Sequence, residues 1–282
     1  MFYGTFTIIV LVIITLFCFP FTSLEHRLEY IAREKYNLQL EITGLDLAFP
    51  LGFEFSSLKL MFPPQEIAPI SMKQGQVVPN FFKLLMGKPE AHFDTVLDKG
   101  ALTAHFRCSP IFHWQDYALD LDWTNILWKS SSSSLPVPLR AIRIRTNGDL
   151  HLQGKLDALP LSTGNGSFIL KDTNLTLDHQ AFPLSFTLES VQAHCDWELK
   201  QGTLLLTQSS FQGKGIRGDL TGRISNIQSL GQARADLQGI LTFSSSKPHI
   251  YSLIKNNYGH THFKWRLDGP VAQPRFRVNP AD

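Results

Sequence analysis

Beginning at Asn37, apolar and polar residues alternate in short segments, and this period of two restricts most of the chain to β-strands. Leu38, Leu40 and Ile42 share one face. Gly44 shifts the phase, and Leu45, Leu47 and Phe49 take over. Phe53 and Phe55 alternate next, then Leu58, Leu60 and Phe62, before Pro63-Pro64 ends the run. Phase slips at a glycine or at Ser56-Ser57 predict bulged, strongly curved sheet.

The pattern continues to the C-terminus. Val77–Gly87 is the one further segment that reads as a helical turn. Strands resume at Ala101–Cys108 and Ala118–Trp123, where Leu119, Leu121 and Trp123 oppose Asp120 and Asp122. The serine run at Ser130–Ser134 and the Leu-Pro-Val-Pro after it mark residues 130–138 as a loop and candidate subdomain boundary. Ile142, Ile144, Leu150 and Leu152 fit a hairpin closed by Thr146-Asn147-Gly148, with Gly148 in a left-handed bulge position. Roughly a dozen strands at hairpin spacing follow from this reading. There is no strand–helix–strand alternation, so the expected class is mainly β: a single large, strongly curved, mostly antiparallel sheet over residues 37–282.

The N-terminus is of a different kind. Met1–Leu24 holds no charged side chain, and Phe6–Phe21 is almost wholly apolar. That length can cross a bilayer as a helix. A cleaved signal peptide would want a basic start and a small-x-small site, and neither is present. Residues 1–24 are therefore expected to be a retained transmembrane anchor that places the protein in the lipid bilayer. A short amphipathic helix is expected at 25–36, entered through a capping box from Thr22 to Glu25, with Leu24, Leu28, Ile31 and Ala32 on one side. Its polar face mixes both signs of charge, which favours covering an end of the sheet over lying on a membrane. The Lys and Arg count after the span mildly favours a cytoplasmic C-terminal side.

A glycine recurs on the apolar face of several of these strands. The pattern L-x-G-x-[LIV] occurs at Leu152–Leu156, Leu220–Ile224, Leu237–Leu241 and Leu267–Val271. In each copy the leucine, the glycine and the last apolar residue are two apart. Gly154, Gly222, Gly239 and Gly269 therefore sit where core side chains are expected. The copies are too irregularly spaced for a solenoid. They read as points where the sheet bends, or where a backbone or apolar ligand approaches closely.

Chemistry is hard to find. The net charge of +2 and the scattered basic residues give no nucleic-acid footprint. His260 and His262 form a solvent-facing pair. In His194-Cys195-Asp196 the cysteine points away from its neighbours, so no nucleophile–base pair forms there. Asp120 and Asp122 share a face of an amphipathic strand. Phosphate-loop, dinucleotide and zinc fingerprints are absent from the sequence. No catalytic, cofactor or metal residues are expected. Cys108 and Cys195 read as buried thiols, with a disulfide between them as the alternative.

Three stretches resemble AsmA-like proteins: "LQLEITGLDLAFPLGFEFSSLKL" (Leu38–Leu60), "GQVVPNFFKLLMGKPEAHFDTVLDKGALTAHF" (Gly75–Phe106) and "FKWRLDGPVAQPRFRV" (Phe263–Val278). Size and order are most similar to the GspN family of type II secretion proteins. The Asp116–Trp128 region with its serine loop departs from that pattern. The resemblance implies a single-pass protein of the bacterial inner membrane with its β-domain in the periplasm, against the mild charge bias. It implies a non-enzymatic accessory role in type II protein secretion, with other secretion components as partners. The alternative it carries is AsmA-like lipid binding or transfer, with phospholipid acyl chains on the concave apolar face. No site residues carry over.

Overall fold

In the computed structural model, described residues run from 20 to 281, apart from 37, 49–51, 62–69, 98, 110–115, 132–138, 156–157, 159–161, 178–185, 228–232, 246–250, 253, 257–258 and 272–273. The chain forms α1 (Phe21–Tyr36), then β1 (Gln39–Thr43), β2 (Asp46–Ala48), β3 (Gly52–Met61), β4 (Ile70–Pro79), α2 (Phe81–Leu85), β5 (Glu90–Leu97) and β6 (Gly100–Cys108). Long strands follow: β7 (Asp116–Ser131), β8 (Leu139–Lys155), β9 (Thr163–Leu177), β10 (Phe186–Lys200) and β11 (Thr203–Gly213). The last group is β12 (Ile216–Asp219), β13 (Thr221–Ser225), β14 (Arg234–Phe243), β15 (His262–Pro270) and β16 (Arg275–Pro280).

All sixteen strands belong to one sheet, and its order follows the chain almost strand by strand. β12 and β13 both lie between β11 and β14, as one strand broken at Leu220. Every described pairing is antiparallel, as adjacent strands joined by hairpins must be. Substantial contacts join only hydrogen-bonded neighbours, together with α1 and β1. Among the described residues the sheet is a single layer, apart from the helical turn around Ile254, which packs into the core toward the C-terminal end.

The register sorts side chains by face. One row across the sheet is Gly75, Thr95, Leu102, Trp123, Gly148, Phe168, Cys195 and Ser209. The next, on the opposite face, is Gln76, Asp94, Thr103, Asp122, Asp149, Ser167, Asp196 and Gln208. The third returns to the first face with Val77, Phe93, Ala104, Leu121, Leu150, Gly166, Trp197 and Leu206. One face is apolar and the other polar, the signature of a sheet with a single side to bury. Compact cores occur toward the two ends. Phe55, Met72, Leu97 and Ile126 form one, and Val191, Ile216, Leu241, Phe243, Ile254 and Phe263 form the other.

The α1 helix covers the β1 edge. Glu25 Oε1 accepts from the Leu45 N–H at 2.7 Å, and Glu29 Oε1 from the Ile42 N–H at 3.0 Å. These carboxylates satisfy edge donors that would otherwise face water or another chain. Phe21 packs edge-on to Phe53 with ring centroids 6.4 Å apart. The expected Thr22 cap does not form. Thr22 lies inside the described helix, the Pro20 carbonyl accepts from Ser23 N at 3.0 Å, and Glu25 is committed to Leu45.

Other expectations are corrected in similar physical terms. The hairpin at Thr146–Gly148 is absent, and β8 runs straight through it, paired with β7 from Lys155 to Ala141. Ile144, Thr146, Gly148, Leu150 and Leu152 are all two apart, so no turn is needed to bring the apolar ones to one face. The extra residue sits instead on β7, at a bulge between Trp123 and Ile126 where Asn125 adopts φ 57° and its N–H donates to Asn147 Oδ1 at 2.7 Å. The phase shift at Gly44 is present, as the gap between β1 and β2 with φ 68° at Gly44. The helical turn in Val77–Gly87 narrows to α2, capped by the Asn80 side chain, which accepts from Lys83 N. The expected anchor at residues 1–24 lies outside the described residues except for Pro20–Leu24. Among the described residues no helix is long and apolar enough to cross a membrane. Within the serine loop, residues 132–138 also lie outside them.

Candidate functional site

On the polar face, β5, β6, β7 and β8 align His92, His105, Asp120 and His151 in one transverse row. Glu90 lies two residues before His92, on the same face. Its side chain is only 8% exposed. Lys83 of α2 reaches down to Glu90 Oε2. Glu90 Oε1 faces the imidazoles, 3.0 Å from His105 Nε2 and 4.0 Å from His92 Nε2. The two rings stack with centroids 4.1 Å apart and planes 5° apart. His105 Nε2 is buried and stands at ion-pair distance from Glu90 Oε1. The Lys83 ammonium, and after it the His105 imidazole, hold the Glu90 carboxyl below the usual carboxylate range despite its burial.

Asp120 is the other hub. Arg107 Nη2 donates to Asp120 Oδ2 at 2.7 Å, His151 Nδ1 contacts Oδ1, and His105 Nδ1 stands 3.9 Å from Oδ2. Desolvation works to raise the Asp120 pKa, but His151 and Arg107 outweigh it and the carboxyl is lowered. Asp122 lies in the neighbouring polar row, directly opposite Asp149, and Ser167 Oγ donates to Asp149 at 2.5 Å. Sequence reasoning missed the histidines because Glu90 and His92 come from one strand and His105 from the next. The pattern Glu-x-His was visible, but its partner appears only once the β5–β6 register is known.

The apolar face carries the recurrent glycines, and aromatic side chains from adjacent strands lie over several of them. A Cβ at Gly148 would fall 2.8 Å from Trp123 Cη2, and one at Gly166 would fall 2.6 Å from Trp197 Cζ2. Gly75 stands in the same relation to Phe55, and Gly218 to Phe211. Such pairing fills the glycine gap with a cross-strand ring. Of the four motif glycines, Gly239 is the one in mid-strand, with Leu237 and Leu241 on its face of β14. A Cβ there would fall 2.9 Å from the Asp219 carbonyl carbon and 3.0 Å from Trp265 Nε1. The β12–β13 break thus presses its backbone on Gly239, while Asp219 Oδ1 accepts from Ile240 N at 2.6 Å. Gly154 lies near the end of β8 against Ser162, whose hydroxyl is 2.6 Å from that of Tyr117. Gly222 (φ 140°) and Gly269 (φ 107°) lie next to strand ends, in backbone that side chains disfavour.

The remaining sequence candidates separate. His260 and His262 are exposed. His194 and Asp196 bond to each other at 3.1 Å on the polar face, while Cys195 is buried on the other, accepting from Ser209 Oγ at 2.9 Å. Burial pushes the Cys195 thiol up. Cys108 and Cys195 are free thiols on β6 and β10. Four strand spacings of ~4.8 Å separate those strands, far beyond disulfide reach.

No protein-family model matches the chain, and neither do any curated protein or solved structure.

Proposed function

We propose that this is a non-enzymatic, membrane-anchored β-sheet protein that holds phospholipid acyl chains along its apolar face. The observation that carries the reading is the half-buried apolar face of the sheet, whose side chains pack on one another between β4 and β11. From β4 to β11 it offers rows of Leu, Phe, Trp, Ala and Gly with no described element packed on them. Seven strand spacings of ~4.8 Å make this strip about 34 Å long, enough for an extended acyl chain. A continuous apolar strip of that size on one side of a charged sheet calls for an apolar occupant. Bulges at Gln74, Asn125, Asp172 and Ser190, each with positive φ, support strong curvature into a trough or open barrel. Aromatic rings fill the gaps left by Gly75, Gly148 and Gly166.

The uncharged run at Met1–Leu24 supports anchoring as a single-pass protein, and the resemblance supports the bacterial inner membrane with the sheet in the periplasm. The same resemblance supports a second reading, an accessory component of type II secretion that binds other parts of that machinery. The order Pro79, α2, Gly87, β5, Gly100, β6 follows the pattern that the resemblance rests on. Flanking genes that encode no secretion components would remove most of that support.

The test of the lipid reading is mass spectrometry of the full chain purified in mild detergent. Phospholipid is expected to co-purify in near-stoichiometric amount and to be lost from Leu121→Asp, which puts a charge in the middle of the strip. Wild-type protein free of lipid would overturn the reading.

A further inference from the structure

We propose that Glu90, His92 and His105 form a binding site for a divalent transition metal of the Zn2+ class, with Asp120 positioning His105 from behind. Nothing in the acyl-chain reading requires this site, since it lies on the opposite face of the sheet.

The donor set is the first argument. Two imidazole nitrogens and one carboxylate oxygen suit Zn2+ and its neighbours, and they are too few and too nitrogen-rich for Ca2+ or Mg2+. The spacing is the second. Donors bound tetrahedrally at about 2.0–2.1 Å stand roughly 3.3 Å apart. Here Glu90 Oε1 lies 3.0 Å from His105 Nε2 and 4.0 Å from His92 Nε2, and all three donor atoms fall within 4.8 Å of one another. The third is the buried His105 Nε2, which has no hydrogen-bond partner. This nitrogen and the Glu90 oxygen 3.0 Å from it need a proton or a metal ion between them, and the metal can take both as ligands.

The surroundings divide the work. Lys83 takes Glu90 Oε2 and leaves Oε1 turned toward the histidines. His92 is 53% exposed and stacked parallel to His105, so it is the ligand that rotates to converge its Nε2 on the ion. Asp120 Oδ2 is held by Arg107 at 3.9 Å from His105 Nδ1, and an approach of about 1 Å on metal binding would let it accept the Nδ1 proton and fix the Nε2-binding tautomer. Three protein ligands leave a fourth position for water or a partner's side chain.

The experiment uses the full chain in detergent, without an affinity tag, stripped with chelator and titrated with ZnCl2 in a calorimeter. One equivalent is expected to bind. His105→Asn and Glu90→Gln should each weaken binding at least 100-fold. Asp120→Asn should weaken it about 10–100-fold, as loss of an outer-shell partner does. His262→Asn, which alters the exposed pair near the C-terminus, should leave it unchanged. Circular dichroism checks that each variant is folded. If a variant unfolds, the wild-type visible spectrum with Co2+ decides: tetrahedral nitrogen–oxygen bands support the site, and their absence overturns it. Full-strength binding in folded His105→Asn protein, or less than one equivalent in wild type, also overturns it.

Discussion

The indole of Trp123 lies across Gly148 of the neighbouring strand, and its Nε1 donates to Thr146 Oγ1 at 3.2 Å. The glycine gap and the ring fit each other, and the half-buried indole N–H finds its partner two residues along. Gly148→Ala should therefore destabilise the protein by about 1–3 kcal/mol through overpacking. Combining it with Trp123→Leu should cost less than the sum, because the double variant removes the ring's share of the clash and leaves only the Ser167 carbonyl, 2.5 Å from the new Cβ. Denaturant midpoints for the four proteins check this, and strict additivity would refute the fit.

Gly239 makes a sharper case, since the group nearest its missing side chain is backbone. Gly239→Val must displace the Asp219 peptide or the Trp265 ring and should lower the melting temperature markedly or block the apolar face. An unchanged melting temperature together with unchanged lipid content would contradict this. Trp265→Phe should behave differently. Trp265 Nε1 is buried without a partner, so losing it removes an unsatisfied donor and should cost under about 1 kcal/mol.

The carboxylates of α1 act at a distance in sequence. Glu25→Ala and Glu29→Ala each strand an edge N–H on Leu45 or Ile42. Each should cost about 1–3 kcal/mol, and the double variant should release the helix from β1. Limited proteolysis within 21–36 and self-association through the bared edge are the expected readouts. Protection equal to wild type would show that the helix is held by its apolar face alone.

Asp122 and Asp149 face each other directly across β7 and β8. Like charges in that relation are destabilising, so Asp122→Asn should raise stability by roughly 0.2–1 kcal/mol at low salt. The gain should shrink as salt screens the pair. A loss of stability on substitution would show that Asp122 has a binding role.

Glu90 and Asp120 set an acid limit. Their folded-state pKa values lie below those of the unfolded chain, so the stability they add is present above the unfolded carboxylate value of about 4. It is lost as pH falls through the lowered folded values. Metal-free protein should lose stability steeply below about pH 4, and Glu90→Gln and Asp120→Asn should each flatten that slope. Unfolding midpoints between pH 3 and 7 test the sign.

The alternation of Leu38, Leu40 and Ile42, and of Leu119, Leu121 and Trp123, was enough to read the strands and their apolar face. Gly44 announced its phase slip because glycine is the residue that takes positive φ cheaply. The slips at Gln74, Asn125, Asp172 and Ser190 gave no such sign, since Gln and Ser seldom enter the left-handed region and Asn and Asp, though enriched there, are equally at home elsewhere. The unneeded turn at Asn147-Gly148 shows the same limit. A common turn dipeptide was read locally, while the partner strand supplied a tryptophan to lie over its glycine. The Glu90, His92 and His105 grouping was illegible for a related reason, because proximity across strands depends on register.

The sheet order also bears on how the molecule is made. Because nearly every strand lies beside the one before it in sequence, each newly emerged strand meets a finished template one hairpin away. Pairing can then advance like a zipper from α1 and β1 onward while the chain is still being synthesised. Long-range strand searches, which slow most all-β proteins, are largely avoided.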